Sequence, residues 1–199
     1  MNVSDTQSVE LQSGDALVLV DVQNDFLPGG NVAVPEGDAV IKALNIYIDS
    51  FRSKGLPIYA TRDWHPENHC SFRQQGGIWP PHCIADTRGA EFSAELDLTP
   101  ATITVSKATT VEKDAYSGFE GTDLDQQLHQ QGIKRLFIGG LATDYCVLNT
   151  VRDALTNHYV VFLLQDAIRA VNVKPGDGDK AEREMQQQGA TPITLQQLA

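Results

Sequence analysis

Residues 15–26 read DALVLVDVQNDF, and the architecture of the chain can be inferred from this segment and its echoes. Ala16 to Val20 form an unbroken apolar run that ends on an acid, Asp21. A strand with one wet face alternates polar and apolar residues, so an unbroken run predicts a strand buried on both faces, as in a parallel sheet. Runs of the same kind recur at Leu56–Ala60, Ile103–Val105, Leu136–Ile138 and Val160–Leu164. Helical patterns fill the intervals. Between Gly37 and Lys54, Ile41, Leu44, Ile48 and Phe51 recur three to four residues apart, and Gly55 supplies a stop. Thr122 caps a short helix carrying Leu124 and Leu128 that ends at Gly132, and Thr143 caps another with Val147, Val151 and Leu155 on one face. Residues 177–188 form a charged helix closed by Gly189, followed by an edge strand at Pro192–Leu195. This alternation predicts one α/β domain over 15–199, a doubly wound, mostly parallel sheet with helices on both faces. A polar, loosely ordered lead-in is expected over residues 1–14.

Composition narrows the function classes. The 199 residues carry a net charge of -11, and so acidic a surface repels phosphate, which argues against nucleic acid or an anionic membrane as partner. The apolar runs are too short to span a bilayer, and no basic, apolar leader opens the chain. Three cysteines, an odd number, fit a reducing compartment, so a cytoplasmic enzyme or scaffold is expected. Nothing in the sequence sets the number of subunits; a homo-oligomer is open.

Open parallel sheets bind ligands beyond the carboxyl ends of their strands. The residues that leave each strand there are Asp21, then Asp63 and His65, then Lys107, then Thr143-Asp144-Tyr145-Cys146 after the glycine pair at 139–140. Cys146, near the start of a helix, is placed where free N–H groups and the helix dipole favour a thiolate, and a nearby lysine adds to that. Such a cysteine is otherwise a small core hydrophobe. Beside it, Asp21 is a candidate general base and Lys107 a cation that holds both anions; alone, they would be a turn cap and a solvated lysine. Three of the five histidines (His65, His69 and His82) fall in one irregular, Pro- and Gly-containing segment, Trp64–Ala101. Asp63, His65 and His82 suit one divalent metal with open positions, most simply zinc, with iron or manganese also compatible; His69 is a possible fourth ligand. The competing arrangement is a closed structural zinc site of His65, Cys70, His82 and Cys83. His129 and His158 read as surface residues.

At these residues the chain resembles the nicotinamidases, the metal-dependent branch of the isochorismatase-like cysteine hydrolases. The resemblance runs from about residue 16 to about 190 on six segments in family order: DVQNDF at 21–26, TRDWHP at 61–66, WPPHC at 79–83, SKA at 106–108, YSGF at 116–119 and GGLATDYC at 139–146. It implies a triad of Asp21, Lys107 and Cys146, metal ligands Asp63, His65 and His82 with His69 recruited in some members, and an oxyanion hole from the N–H groups of Ala142 and Cys146. It also implies a cis peptide at Leu141–Ala142, and Phe26, Trp79 and Tyr116 as walls around an aromatic substrate ring. The activity it implies is hydrolysis of nicotinamide to nicotinate and ammonia in NAD salvage, with pyrazinamide as an analogue. The alternatives are a carbamoyl- or ureido-hydrolysing relative, a hydrolase whose metal activates water, and a non-enzymatic scaffold with structural zinc.

Overall fold

In the computed structural model, which describes residues 8–199, the first apolar run forms β1 (Asp15–Val20), buried at all six positions. Both of its edges are paired in parallel, to β2 (Ile58–Asp63) on one side and β4 (Arg135–Leu141) on the other, and both of its faces are covered by core residues. Beyond β2 lies β3 (Ile103–Lys107); beyond β4 lie β5 (Val160–Arg169) and then β6 (Thr191–Ile193). The order is β3-β2-β1-β4-β5-β6 and every pairing is parallel, where a mostly parallel sheet was expected.

Alternate residues of β1 feed two cores. Leu17 and Leu19 pack under α1 (Ala39–Ser53), and Ala16, Val18 and Val20 face α2 (Leu124–Gln130), α3 (Leu148–Thr156) and α4 (Asp177–Gln187). Among the described residues no helix is long and apolar enough to cross a membrane.

Three local expectations need correction. Residues 1–7 lie outside the described residues, but the rest of the expected lead-in is docked: Leu11 is buried and Val9 bridges Leu198. Thr122 does act on α2, through its Oγ on the Leu124 N–H at 3.3 Å, yet the boundary residue is Asp123. After β4 the chain makes a wide π-type turn, Thr143–Val147, before α3 begins, so Thr143 lies inside the turn and caps nothing with its side chain. Trp64–Ala101 remains irregular, with two short 3-10 turns at Arg73–Gln75 and Arg88–Ala90.

The strand order reverses between β1 and β4, and in this class of sheet the ligand crevice opens at that point. Gly140 makes the crossing possible. It sits at φ +127°, next to a register shift in β4, and a Cβ there would lie 2.1 Å from the Val20 carbonyl oxygen.

Candidate active site

Asp21 is the first residue past β1 and turns the chain at φ +50°. Its Oδ1 accepts a 2.6 Å bond from the Thr61 hydroxyl; its Oδ2 is buried and lies 3.0 Å from Lys107 Nζ. Lys107 closes β3. Its ammonium reaches Asp63 Oδ1 at 2.5 Å, the Ala115 carbonyl at 3.1 Å and Cys146 Sγ at 3.6 Å. One oxygen of Asp21, one of Asp63 and Cys146 Sγ lie within 4.8 Å of one another, with the lysine among them.

Burial and charge push these groups in different directions. Burial opposes the ammonium, yet Asp21 and Asp63 together hold Lys107 well above the usual lysine range. Burial raises the Asp21 carboxyl despite Lys107. On Asp63 burial acts the same way but loses to Lys107 and the neighbouring histidines, which keep its carboxyl low. Asp63 is therefore the fixed anion and Asp21 the carboxylate able to carry a proton. The expected resting thiolate at Cys146 is not what this environment favours: burial pushes the thiol up, and Lys107 only partly opposes it. Sγ keeps its proton until a base removes it.

The histidines converge on the other side of Asp63. Ligating atoms of Asp63, His65 and His82 lie within 4.8 Å of one another. His65 Nδ1 meets the His82 carbonyl at 2.9 Å and His82 Nδ1 meets the Pro80 carbonyl at 2.9 Å. A carbonyl only accepts, so each Nδ1 carries a hydrogen and each Nε2 is the nitrogen left to meet a metal. Among the described residues His65 Nε2 is buried without a partner, and burial lowers the His65 pKa to about 4, which keeps the ring neutral. His69 differs. It stacks on His65, its Nε2 donates to the Lys113 carbonyl at 2.9 Å and its Nδ1 accepts from the Ser71 hydroxyl at 2.7 Å, so neither nitrogen is free. Among the described residues no ligating group joins Cys70 or Cys83 to these histidines, and Cys83 Sγ instead faces the Gly89 carbonyl.

Phe26, Trp79 and Tyr116 line one cavity of about 340 Å³ together with Asp63, His82, Ala142 and Cys146. The Trp79 indole donates to the Tyr116 hydroxyl at 2.9 Å, which braces the two rings. Asp21 and Lys107 do not line the cavity; they stand behind the thiol. The Leu141–Ala142 peptide is cis, as the resemblance implied. Tyr145 is a further lining residue, one to which the sequence alone assigns no role: its ring lies 5.2 Å from Trp79 and 5.7 Å from Tyr116. The signal was its place beside Cys146, but only the π-type turn determines which neighbour of the cysteine faces the cavity.

Comparison with known proteins fits this geometry. Residues 15–197 match the Isochorismatase domain family model. A nicotinamidase of Escherichia coli (strain K12) is 40% identical over 90% of this chain and 94% of its own. A Pyrococcus horikoshii pyrazinamidase, solved in complex with zinc, superimposes with a TM-score of 0.88 at 50% identity over 92% of this chain and 99% of its own. An L. infantum protein solved in complex with nicotinate gives 0.89 at 35% identity, over 96% and 98%. The chain belongs to the isochorismatase family and is a hydrolase that acts on amides.

Proposed function

We propose that this chain is a metal-dependent nicotinamidase, hydrolysing nicotinamide to nicotinate and ammonia as a step of NAD salvage, and accepting pyrazinamide as an analogue. The observation that carries the reading is one aromatic-walled cavity lined by a thiol, 3.6 Å from a buried ammonium, and by Asp63 and His82, whose ligating atoms lie within 4.8 Å of each other and of a nitrogen of the buried His65.

Asp21 accepts the Sγ proton, and the sulfur attacks the carboxamide carbon. The N–H groups of Ala142 and Cys146 receive the oxyanion. When the C–N bond breaks, Asp21 returns the proton to the departing nitrogen, which leaves as ammonia. Asp21 then takes a proton from water as it adds to the thioester, nicotinate departs and Sγ is reprotonated. Lys107 stays charged throughout and fixes both carboxylates.

The residues present fit a divalent ion such as zinc: one anionic carboxylate, two imidazoles whose Nδ1 atoms are engaged by carbonyls so that Nε2 is left for the ion, and, among the described residues, a buried His65 Nε2 without a partner. When bound, it would supply a Lewis-acidic position for the pyridine nitrogen and so orient the ring. The test is ammonia release from nicotinamide by protein loaded with one equivalent of zinc. Turnover that follows metal content supports the reading, and metal-loaded protein that releases no ammonia removes it.

A further inference from the structure

Gln23 is fully buried, lines no part of the cavity and has no place in the chemistry above, yet its side chain makes three hydrogen bonds. Nε2 donates to the carbonyls of Asp63 at 2.7 Å and Ala90 at 2.9 Å, and Oε1 accepts from the Asp63 N–H at 2.8 Å. The reason lies in the sheet. β1 pairs with β2 only as far as Val20 and Thr61; the Asp21 N–H makes a last bond to the Thr61 carbonyl at 3.1 Å, and the chain then turns away. In a parallel ladder the N–H and C=O of one residue face the same neighbour. Asp63, two residues past Thr61, therefore turns both groups toward an edge that β1 no longer occupies. The Gln23 amide stands in that gap and pairs both groups, as the missing strand peptide would.

We propose that Gln23 is a positioning residue that fixes the peptide of Asp63, and through it aims the one carboxylate shared by the Lys107–Cys146 cluster and the histidine cluster. The inference rests on reading Asp63 as a metal ligand. Asp63 Oδ1 lies 2.5 Å from Lys107 Nζ and 3.9 Å from His65 Nε2, so a tilt of its peptide moves both contacts together. The opposite edge of β2 stays paired with β3, from Tyr59–Ile103 to Asp63–Lys107, so loss of the Gln23 amide leaves the strand in place but its end unheld.

The experiment uses Gln23→Met, which keeps length and removes all three bonds, and Gln23→Glu, which keeps the acceptor for the Asp63 N–H. Tyr47→Phe is the control, because it loses a 2.9 Å bond to Asp166, far from Asp63 in the α1 core. Zinc affinity is read by competition with a chromophoric chelator, and exchange of the Asp63 amide by NMR in metal-free protein. Zinc Kd should rise roughly 10- to 100-fold in Gln23→Met, less in Gln23→Glu, and not at all in Tyr47→Phe. Asp63 amide exchange should speed up about tenfold or more in Gln23→Met, but not in Gln23→Glu, while Tyr59 and Ala60 keep their protection. Wild-type zinc affinity in both Gln23 variants, or an equal loss in Tyr47→Phe, overturns the proposal; so does unchanged Asp63 exchange in Gln23→Met. If the unmodified chain itself binds no zinc, the metal reading fails, and amide exchange alone decides whether Gln23 holds Asp63.

Discussion

Two clusters meet at Asp63 and are built in different ways. Asp21, Lys107 and Cys146 come from the end of β1, the end of β3 and the first turn after β4, elements locked by parallel ladders. His65, His82 and the wall residues Phe26, Trp79 and Tyr116 lie beyond the strands or in irregular segments. They are held by isolated bridges and scattered bonds outside the strand ladders, such as His65 N–H to the Cys83 carbonyl at 2.9 Å and Cys83 N–H to Asp25 Oδ2 at 2.7 Å. Groups that move protons need a fixed geometry, which a sheet supplies; groups that recognise a ring can be carried on loops, which a sheet merely anchors. The chemistry should therefore fail abruptly when the strand-end cluster is cut, and recognition should degrade by degrees when the loop cluster is cut.

The sharpest test of the first half is Cys146→Ala. Ammonia release should fall at least about 10⁵-fold while zinc content and the folded state persist, because removal of a nucleophile eliminates the covalent route but leaves only a small gap in the core. A nicotinoyl thioester should be trappable on Cys146 by mass spectrometry and on neither Cys70 nor Cys83. Substantial residual turnover would break the assignment.

The second test addresses recognition. Nicotinamide and benzamide share a shape, but only nicotinamide has a ring nitrogen to offer a metal. A site that engages such a group rejects an analogue lacking it by roughly 10⁴ in kcat/KM. Asp63→Ala cannot isolate this effect, because Asp63 also pairs with Lys107. His82→Ala or chelation can, and should erase most of nicotinamide's advantage while leaving slow benzamide turnover nearly unchanged. Equal losses for both amides would mean that the metal acts on the carboxamide and not on the ring.

Lys107→Met sharpens the comparison at the point where the clusters touch. Removing the cation leaves Asp21 and Asp63 buried without their partner, at a cost of about 3–5 kcal/mol in unfolding free energy. The same cation pulls the Cys146 pKa down against burial, so its loss raises that pKa further, and alkylation of Cys146 should shift to higher pH. An unshifted alkylation profile would leave Lys107 a purely structural ion.

The smallest effect belongs to the aromatic wall. Tyr116→Phe removes the acceptor of the Trp79 indole, a loss of about 1 kcal/mol in bracing, so KM for nicotinamide should rise a few-fold with kcat nearly constant. A fall in kcat alone would place Tyr116 in the chemistry.

The sequence by itself determined the parallel sheet. A run such as Ala16–Val20 has no alternate pattern to offer a half-wet strand, and the residues leaving such runs (Asp21, Asp63, Lys107) are confined to one rim whatever the loops do. What it could not determine were properties that depend on neighbours distant along the chain. The upward push on the Cys146 thiol comes from burial, which outweighs the lysine beside it. The status of His69 depends on Ser71 and on the carbonyl of Lys113, 44 residues away. Tyr145 reaches the cavity because the turn after β4 is wide, and the Gln23 amide pairs the peptide groups of Asp63 because β1 leaves its ladder two residues before β2 ends. Periodicity and strand ends are local properties of a chain; desolvation, hydrogen-bond partners and vacated sheet edges exist only once distant segments have packed, and only the tertiary structure could decide them.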